Sequence, residues 1–446
     1  MTRTPIKSVH ITNYYHKNSG GISTSYNNLM AAAERHRRYV RLIVPGEFES
    51  IEDVNEFARI YYVPAKYSPI FDKRYRLIMP WQYMPNGSDI RKILEDEQPD
   101  LVEITDKYTL SMFGAMVRLG KFSQLGRPLL VHFSCERMDD NVASFLSGGR
   151  FGRWLAKTII GKYTVPSFDF HLANSSYTAA EFNESLMSGS SVSRTWRWLR
   201  APQVPLEERI RVCPRGVDAA HFRPDRKSDT KRNELIKKAG LPSDAIVLLY
   251  AGRISPEKNI ELLPAMMREL ALDGDNDYRL VVAGDGPQAE WLRHEGEKIG
   301  PGRITLLGHL DKETLADYYA NADVFVHPNP KEPFGIAPLE AMASGVPTVA
   351  PRSGGILSYA TDENAWLVEA TAKDFAGAIR QAVTDRALRV SRTQKAVETA
   401  RANTREMSTD RLFATYDEIY EDFQRRRDLY IGSDDSPPLD NSVPAR

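Results

Sequence analysis

Cysteine is nearly absent. The 446 residues include only Cys135 and Cys213, too few and too widely spaced for a disulfide framework or a zinc site of the usual ligand number, so a reducing compartment is the expected setting. Net charge is lacking as well. Lys plus Arg and Asp plus Glu each number 59, so no global basic field exists to collect nucleic acid or to hold the chain on an anionic membrane, and any such attraction has to be local. Long apolar runs are missing too: no stretch approaches the ~18 apolar residues that span a bilayer, and the stretch from Met1 to Gly21 lacks the apolar centre of a signal peptide. The expectation is a cytoplasmic protein, at most peripheral at the inner face of the membrane, with no nucleic-acid partner.

What is present is the composition of an ordinary globular protein, 42% apolar and 10% aromatic, and a length that calls for two domains at about 100 to 200 residues each. Short β-branched runs recur at Ser8-Thr12, Tyr39-Pro45, Leu101-Thr105, Leu129-Ser134 and Phe168-Ser175, and again at Ala245-Gly252, Arg279-Gly284, Ile304-Gly308, Val324-Pro328 and Pro347-Pro351. Apolar residues at helical spacing fill Ile22 to Arg37, Lys258 to Leu270, Pro287 to Ile299 and Asp374 to Val383. Strands alternating with helices imply parallel sheets covered on both faces, so the fold class is α/β with two doubly wound, Rossmann-like halves. The run Arg211 to Asp218 and the charged stretch Arg223 to Lys231 read as an interdomain connection, and the boundary falls near residue 220. The organisation expected is a first domain over 1–219, a second over 220–408, an amphipathic helix over 409–430 and a disordered tail over 431–446, rich in Ser, Asp, Pro and Gly.

The most informative stretch runs from Glu332 to Pro347, Glu-Pro-Phe-Gly-Ile-Ala-Pro-Leu-Glu-Ala-Met-Ala-Ser-Gly-Val-Pro. Glu332 lies on a loop and Glu340 within a helix, with a Gly turn at Gly335 and a Pro suited to a first helical turn between them. Such a helix start offers free N–H groups and a positive dipole end to a phosphate, while two carboxylates can accept hydrogen bonds from sugar and ribose hydroxyls. A nucleotide sugar carries all of those groups. A Glu pair at an arbitrary helix start is ordinarily solvated surface; Gly335, Gly345 and the neighbouring blocks weigh against that reading here.

Those blocks are Ala251-Gly252-Arg253 with Lys258-Asn259, Val282-Ala283-Gly284-Asp285-Gly286-Pro287, Leu307-Gly308 and Ser353-Gly354-Gly355. In the first half come Gly20-Gly21, Ala173-Asn174-Ser175 and Pro214-Arg215-Gly216-Val217-Asp218 with Phe222-Pro224. In this order the chain resembles the family-4 glycosyltransferases, retaining enzymes of the GT-B fold, over most of its length and most densely from Leu248 to Val368. The resemblance implies two Rossmann-like domains facing a cleft, with the C-terminal helix crossing back to the first. It assigns Arg253 and Lys258 to the leaving diphosphate, Glu332 to donor-sugar hydroxyls, the backbone of Phe334, Gly335 and Ile336 to sugar and phosphates, and Glu340 to the ribose. Gly308 and His309 would frame the base. Gly284 would lie by the donor, and Gly20 and Gly21 would let the N-terminal loop approach donor phosphates and acceptor. Two cations and a helix N-terminus can offset the charge on the leaving group, so neither metal nor other cofactor is expected.

Family members carry a His by the donor sugar near the run His132-Phe133-Ser134-Cys135-Glu136-Arg137, and the resemblance implies His132 as a catalytic residue at a strand end, although a lone His after a strand is more often a satisfied structural residue. Glu136-Arg137 is similar to a run in some mannosyltransferases of the family. The sequence departs from the family at Arg215, where Asn is commoner, and after Gly354-Gly355, where Ile356-Leu357-Ser358-Tyr359 lacks a frequent Glu. The segments 150–162 and 194–200 combine Trp and Phe with Arg and Lys, which suits a membrane interface or a lipid-phosphate acceptor and equally a surface that packs its Trp on the core. The function implied is retaining transfer of a hexosyl unit, mannosyl before others, from a nucleoside diphosphate sugar to a glycan, lipid or small-molecule hydroxyl. The alternatives are a nucleotide-sugar epimerase of the same fold and a non-catalytic nucleotide-sugar-binding module.

Overall fold

The computed structural model describes residues 5–15, 20–68, 75–145, 149–187, 192–272 and 276–432, apart from the side chains at 144–145, 187 and 192–193. The chain divides into two compact units, one formed by Met1–Pro214 with Thr409–Arg446 and the other by Arg215–Ser408.

The first unit contains β1 (Ser8–Ile11), β2 (Val40–Gly46), β3 (Ser50–Asp53), β4 (Ala58–Pro64), the short pair β5 (Lys66–Tyr67) and β6 (Arg76–Leu77), then β7 (Leu101–Ile104), β8 (Leu129–Ser134), β9 (Phe170–Ala173) and β10 (Ile210–Val212). Eight of these form one sheet in the order β10-β9-β8-β7-β1-β2-β4-β3, parallel except for β3, which lies antiparallel on β4. The central strands β1, β7, β8 and β9 are buried on both faces. Val131 and Phe133 of β8 join one apolar cluster and Leu130 joins another, because successive side chains alternate across a sheet. The order reverses between β1 and β7, which makes their carboxyl ends the switch point of this sheet. The helix Arg405–Arg425 sends Phe413, Tyr416, Ile419 and Phe423 into the first of those clusters, and Tyr416 Oη donates to Glu103 Oε2 of β7 at 2.6 Å.

The second unit holds β11 (Ile246–Ala251), β12 (Tyr278–Ala283), β13 (Ile304–Gly308), β14 (Val324–Val326), β15 (Thr348–Pro351) and β16 (Trp366–Val368), paired in the order β13-β12-β11-β14-β15-β16 and parallel throughout. Alternation again splits the strands between two cores: Leu249 and Val281 face one, Leu248 and Val282 the other. The switch point lies between β11 and β14.

Two expectations are corrected. The stretch Arg223 to Lys231 is built into the second unit rather than forming a connection: Phe222 is buried, Arg226 pairs with Asp317 at 2.8 Å, and Ser228 caps the helix Asp229–Lys238. Arg226 and Lys231, read as linker-like charges, pair with the helix Lys312–Asn321. At the other end, Ile431 closes a short helix begun at Arg427 and is not tail; residues 433–446 of the tail expectation lie outside the described residues.

Candidate functional site

On one side of the switch point of the second unit the carboxyl ends of β11, β12 and β13 close on each other backbone to backbone. Gly284 has φ +147°, and a Cβ there would stand 1.9 Å from the carbonyl oxygen of Gly252, so no other residue fits. The Gly284 N–H donates to Gly308 O at 2.8 Å and the Ile254 N–H to Asp285 O at 3.0 Å. Gly284 and Gly308 therefore lie side by side, with His309 exposed beyond them. The next loop carries the cations. Lys258 ends a short 3₁₀ turn, Pro256–Lys258, closed by Asn259 in the left-handed region, and Asn259 Nδ2 donates to Pro328 O at 2.8 Å, tying this turn to the loop after β14.

That tie brings Lys258 to Glu332. Lys258 Nζ donates to Glu332 Oε2 at 2.8 Å and Asn329 Nδ2 to the same oxygen at 3.0 Å. Burial pushes the Glu332 carboxyl up, but Lys258 and His327 outweigh it and hold the group down at about 2. His327 Nε2 lies 3.7 Å from the same Oε2; burial lowers this imidazole to about 4 against the pull of Glu332, so it is neutral at pH 7. Arg253 is more open, its side chain 40% exposed and 3.9 Å from Glu257.

Gly335, with φ +87°, starts the helix Ile336–Ala343, which has no side-chain cap, so its first N–H groups are available to an anion. Phe334 is buried and its ring meets Tyr359 edge-on at 5.2 Å; only its backbone can serve a ligand, as the resemblance implied. Ile336 is half-buried. Glu340 accepts from Tyr319 Oη at 3.2 Å, and burial raises it to about 7. The two carboxylates of the motif thus occupy opposite states near neutrality, Glu332 ionised and Glu340 poised. The loop lacking the family's Glu supplies Tyr359, whose hydroxyl donates to Gly335 O.

In the first unit, Gly20 and Gly21 are exposed at the start of the helix Gly21–His36; residues 16–19 before them lie outside the described residues. His132 requires correction. It is 0% exposed, enclosed by Phe168, His171 and Phe182 at ring distances of 5.3 to 5.8 Å, and neither ring nitrogen has a hydrogen-bond partner. Burial first, then His171 and Lys107, holds its pKa well below the ordinary value. Enclosed in the core, it is not available to a donor sugar. The carboxyl end of β8 instead presents Glu136, raised by burial and accepting from Tyr14 Oη at 3.3 Å, while Arg137 is taken up by Asp139 at 2.9 Å and Glu184 at 2.7 Å. Among the described residues no group of three or more His, Cys, Asp or Glu is arranged to hold a metal ion, and no helix is long and apolar enough to cross a membrane.

His327, Asn329, Tyr319 and Tyr359 were not singled out from the sequence. His327 and Asn329 follow β14 directly, where ligands of open α/β sheets bind, and that position was the available signal; the two tyrosines gave none.

Comparison with known proteins bears on the family and the fold. Residues 231–401 match the family described as Glycosyl transferases group 1. A GDP-mannose-dependent alpha-(1-6)-phosphatidylinositol dimannoside mannosyltransferase of Mycobacterium tuberculosis is 28% identical over 381 residues, covering 85% of this chain and 88% of that protein. A GDP-mannose-dependent alpha-mannosyltransferase of Corynebacterium glutamicum is 41% identical over 142 residues, 32% of this chain and 30% of that one. Among solved structures, sucrose-phosphate synthase from Thermosynechococcus elongatus superposes with a TM-score of 0.70 at 20% identity, over 93% of this chain and all of that one (100%). The two Rossmann-like sheets with their helices match the GT-B glycosyltransferases.

Proposed function

Through residues 231–401 this chain belongs to the glycosyl transferases group 1 and is a glycosyltransferase, and from that premise we propose that it moves a mannosyl unit from GDP-mannose, with retention, to a hydroxyl of a glycolipid acceptor. The observation that carries this reading is the convergence of Lys258 and Asn329 on Glu332 beside the uncapped helix start at Gly335. In it, Lys258, Arg253 and the N–H groups after Gly335 take the diphosphate, Glu332 accepts from sugar hydroxyls, Glu340 from the ribose, and Gly308 with His309 borders the base. The bond from the anomeric carbon to the phosphate oxygen breaks as the acceptor oxygen bonds on the same face. The acceptor proton passes to the departing phosphate, whose charge the two cations and the helix start stabilise without a metal. The donor identity draws on the GDP-mannose-dependent relatives and on the Glu136-Arg137 run.

The acceptor class draws on the first of those relatives, named for a phosphatidylinositol dimannoside, and on a surface of the first unit. On the helix Gly149–Ile159, Phe151 and Trp154 are 64% and 54% exposed, their rings stacked at 5.8 Å, and each directly follows an arginine in sequence, Arg150 and Arg153. Trp196, by contrast, is a core residue whose Nε1 donates to Gly161 O at 2.9 Å. Exposed aromatics among cations suit peripheral contact with an anionic bilayer at the inner face of the membrane, and the two buried cysteines, neither of them in a disulfide, suit a reducing compartment.

The test offers GDP-mannose, UDP-glucose and ADP-glucose with and without lipid extract and follows the product by NMR. Mannosyl lipid with the α configuration of the donor is expected from GDP-mannose alone. Inverted product, transfer only from a UDP-sugar, an epimerised sugar without acceptor, or binding without turnover would each replace the reading.

A further inference from the structure

His327 is left by folding in an unusual state. It is buried at the carboxyl end of β14, and its Nε2 is shielded from solvent without a hydrogen-bond partner. That nitrogen faces Glu332 Oε2 from 3.7 Å, just outside hydrogen-bond distance, while Lys258 at 2.8 Å and Asn329 at 3.0 Å hold the same oxygen. Buried polar atoms are nearly always paired, and an orphan carries a desolvation cost, so one beside an ionised carboxylate needs a reason.

A second oddity sits on the same oxygen. The proposed function assigns the Lys258 ammonium to the donor diphosphate, yet the folded chain holds it on Glu332. A diphosphate that draws Lys258 away would leave Glu332, whose side chain is only 14% exposed, ionised and short of a donor, which costs more than breaking a surface pair. We propose that His327 is a positioning residue that replaces Lys258: as the diphosphate takes the Lys258 ammonium, the His327 Nε2–H moves onto Glu332 Oε2 and keeps the carboxylate aimed at the donor sugar. The inference rests on the reading of Lys258 as a phosphate ligand. It requires the neutral imidazole to carry its proton on Nε2, and a neutral ring fits the exchange because it adds no charge when the ammonium leaves. The free chain bears an unpaired nitrogen and a paired lysine; the bound chain pairs both, so the exchange favours binding.

Calorimetric titration with GDP separates this role from a structural one. His327→Leu is expected to weaken GDP binding by about tenfold or more, the worth of a hydrogen bond to a charged group, and His327→Gln, whose Nε2 is also a donor, recovers most of the loss. In a Lys258→Ala background His327→Leu should have no further effect on GDP affinity, because there His327 already holds Glu332 in the free chain. Equal losses in both backgrounds indicate a packing role and overturn the inference. Should His327→Leu fail to fold, the ring resonances of wild-type protein labelled with ¹⁵N-histidine decide: GDP is expected to move the His327 Nε2–H resonance downfield, and an unmoved resonance at saturation overturns the exchange. Wild-type protein that binds no nucleoside diphosphate removes the proposed function and this inference together. Tight wild-type binding that His327→Leu leaves intact removes the inference alone.

Discussion

The hydroxyl of Tyr359 donates to the carbonyl oxygen of Gly335 and fills the space a side chain at Gly335 would need, since a Cβ there would stand 2.9 Å from Tyr359 Oη. The start of the helix Ile336–Ala343 is therefore fixed twice, by a backbone at φ +87° and by a buried phenol.

Gly335→Ala meets both constraints. Left-handed backbone disfavours a side chain and the tyrosine has to move, so a loss of about 1–3 kcal/mol is expected, together with weaker GDP binding because the N–H groups after Gly335 shift. Tyr359→Phe relieves the contact but removes one hydrogen bond, worth about 1 kcal/mol. Thermal unfolding with and without GDP checks the pair. A Gly335→Ala variant with wild-type stability and affinity would show that the conformation is not needed.

Lys258 and Arg253 are expected to lower kcat by a factor on the order of 100 or more when either is changed to Ala, because removal of one preorganised charge stabiliser costs a few kcal/mol at the transition state. Steady-state rates with GDP-mannose measure it. The same assay in EDTA is expected to be unchanged. Near-normal turnover in both variants, or strict dependence on added manganese, would require a different way of stabilising the leaving group.

Glu340 gives a pH signature. Its carboxyl, ordinarily near 4.5, is raised by burial to about 7, so around pH 6 the folded chain keeps a proton that the unfolded chain has lost. Its contribution to stability is fully present below 4.5 and is lost as the pH rises towards 7. Ribose hydroxyls prefer the ionised form, so GDP affinity is expected to rise over the same interval that stability falls, and Glu340→Gln should flatten both profiles. Denaturant unfolding and calorimetry across that range test it; a Glu340→Gln variant that keeps the wild-type slopes would assign the titration elsewhere.

How much of this was legible depends on what kind of interaction fixes each part. Val247 to Ala251 and Leu280 to Ala283 read as strands because burial on both faces demands continuous apolar runs. β3 is four exposed residues paired only with β4, and β16, though apolar, is three residues long and falls below the length at which a run stands out. Glu332, Glu340, Lys258 and Gly335 stood out because backbone conformation and charge constrain residue type locally. His327 and Asn329 join them only because β14 pairs with β11, a non-local event. Arg226 misled for the opposite reason: its partners Glu313 and Asp317 are distant in sequence, so a satisfied charge looked like a solvated one.

His132 misled by alternation. Val131 and Phe133 face one layer of the first unit, so His132 faces the other, against Phe168 and Phe182. Its nitrogens are unpartnered, and both His132 and His171 are held well below the ordinary imidazole value of 6.5, burial being the leading cause in each. In the folded chain both rings stay neutral where the unfolded chain takes up protons, so stability is present above 6.5 and is lost as the pH falls below it. His132→Phe keeps a planar ring without the unpaired nitrogens. It is expected to leave turnover unchanged, to match or exceed wild-type stability at neutral pH, the orphaned nitrogens costing about 1–3 kcal/mol, and to reduce the loss on acidification. Rates with GDP-mannose and urea unfolding at pH 5 and pH 7.5 measure all three. A large fall in turnover with stability preserved would return His132 to the catalytic machinery, and an unchanged acid sensitivity would move the proton uptake to His171 alone.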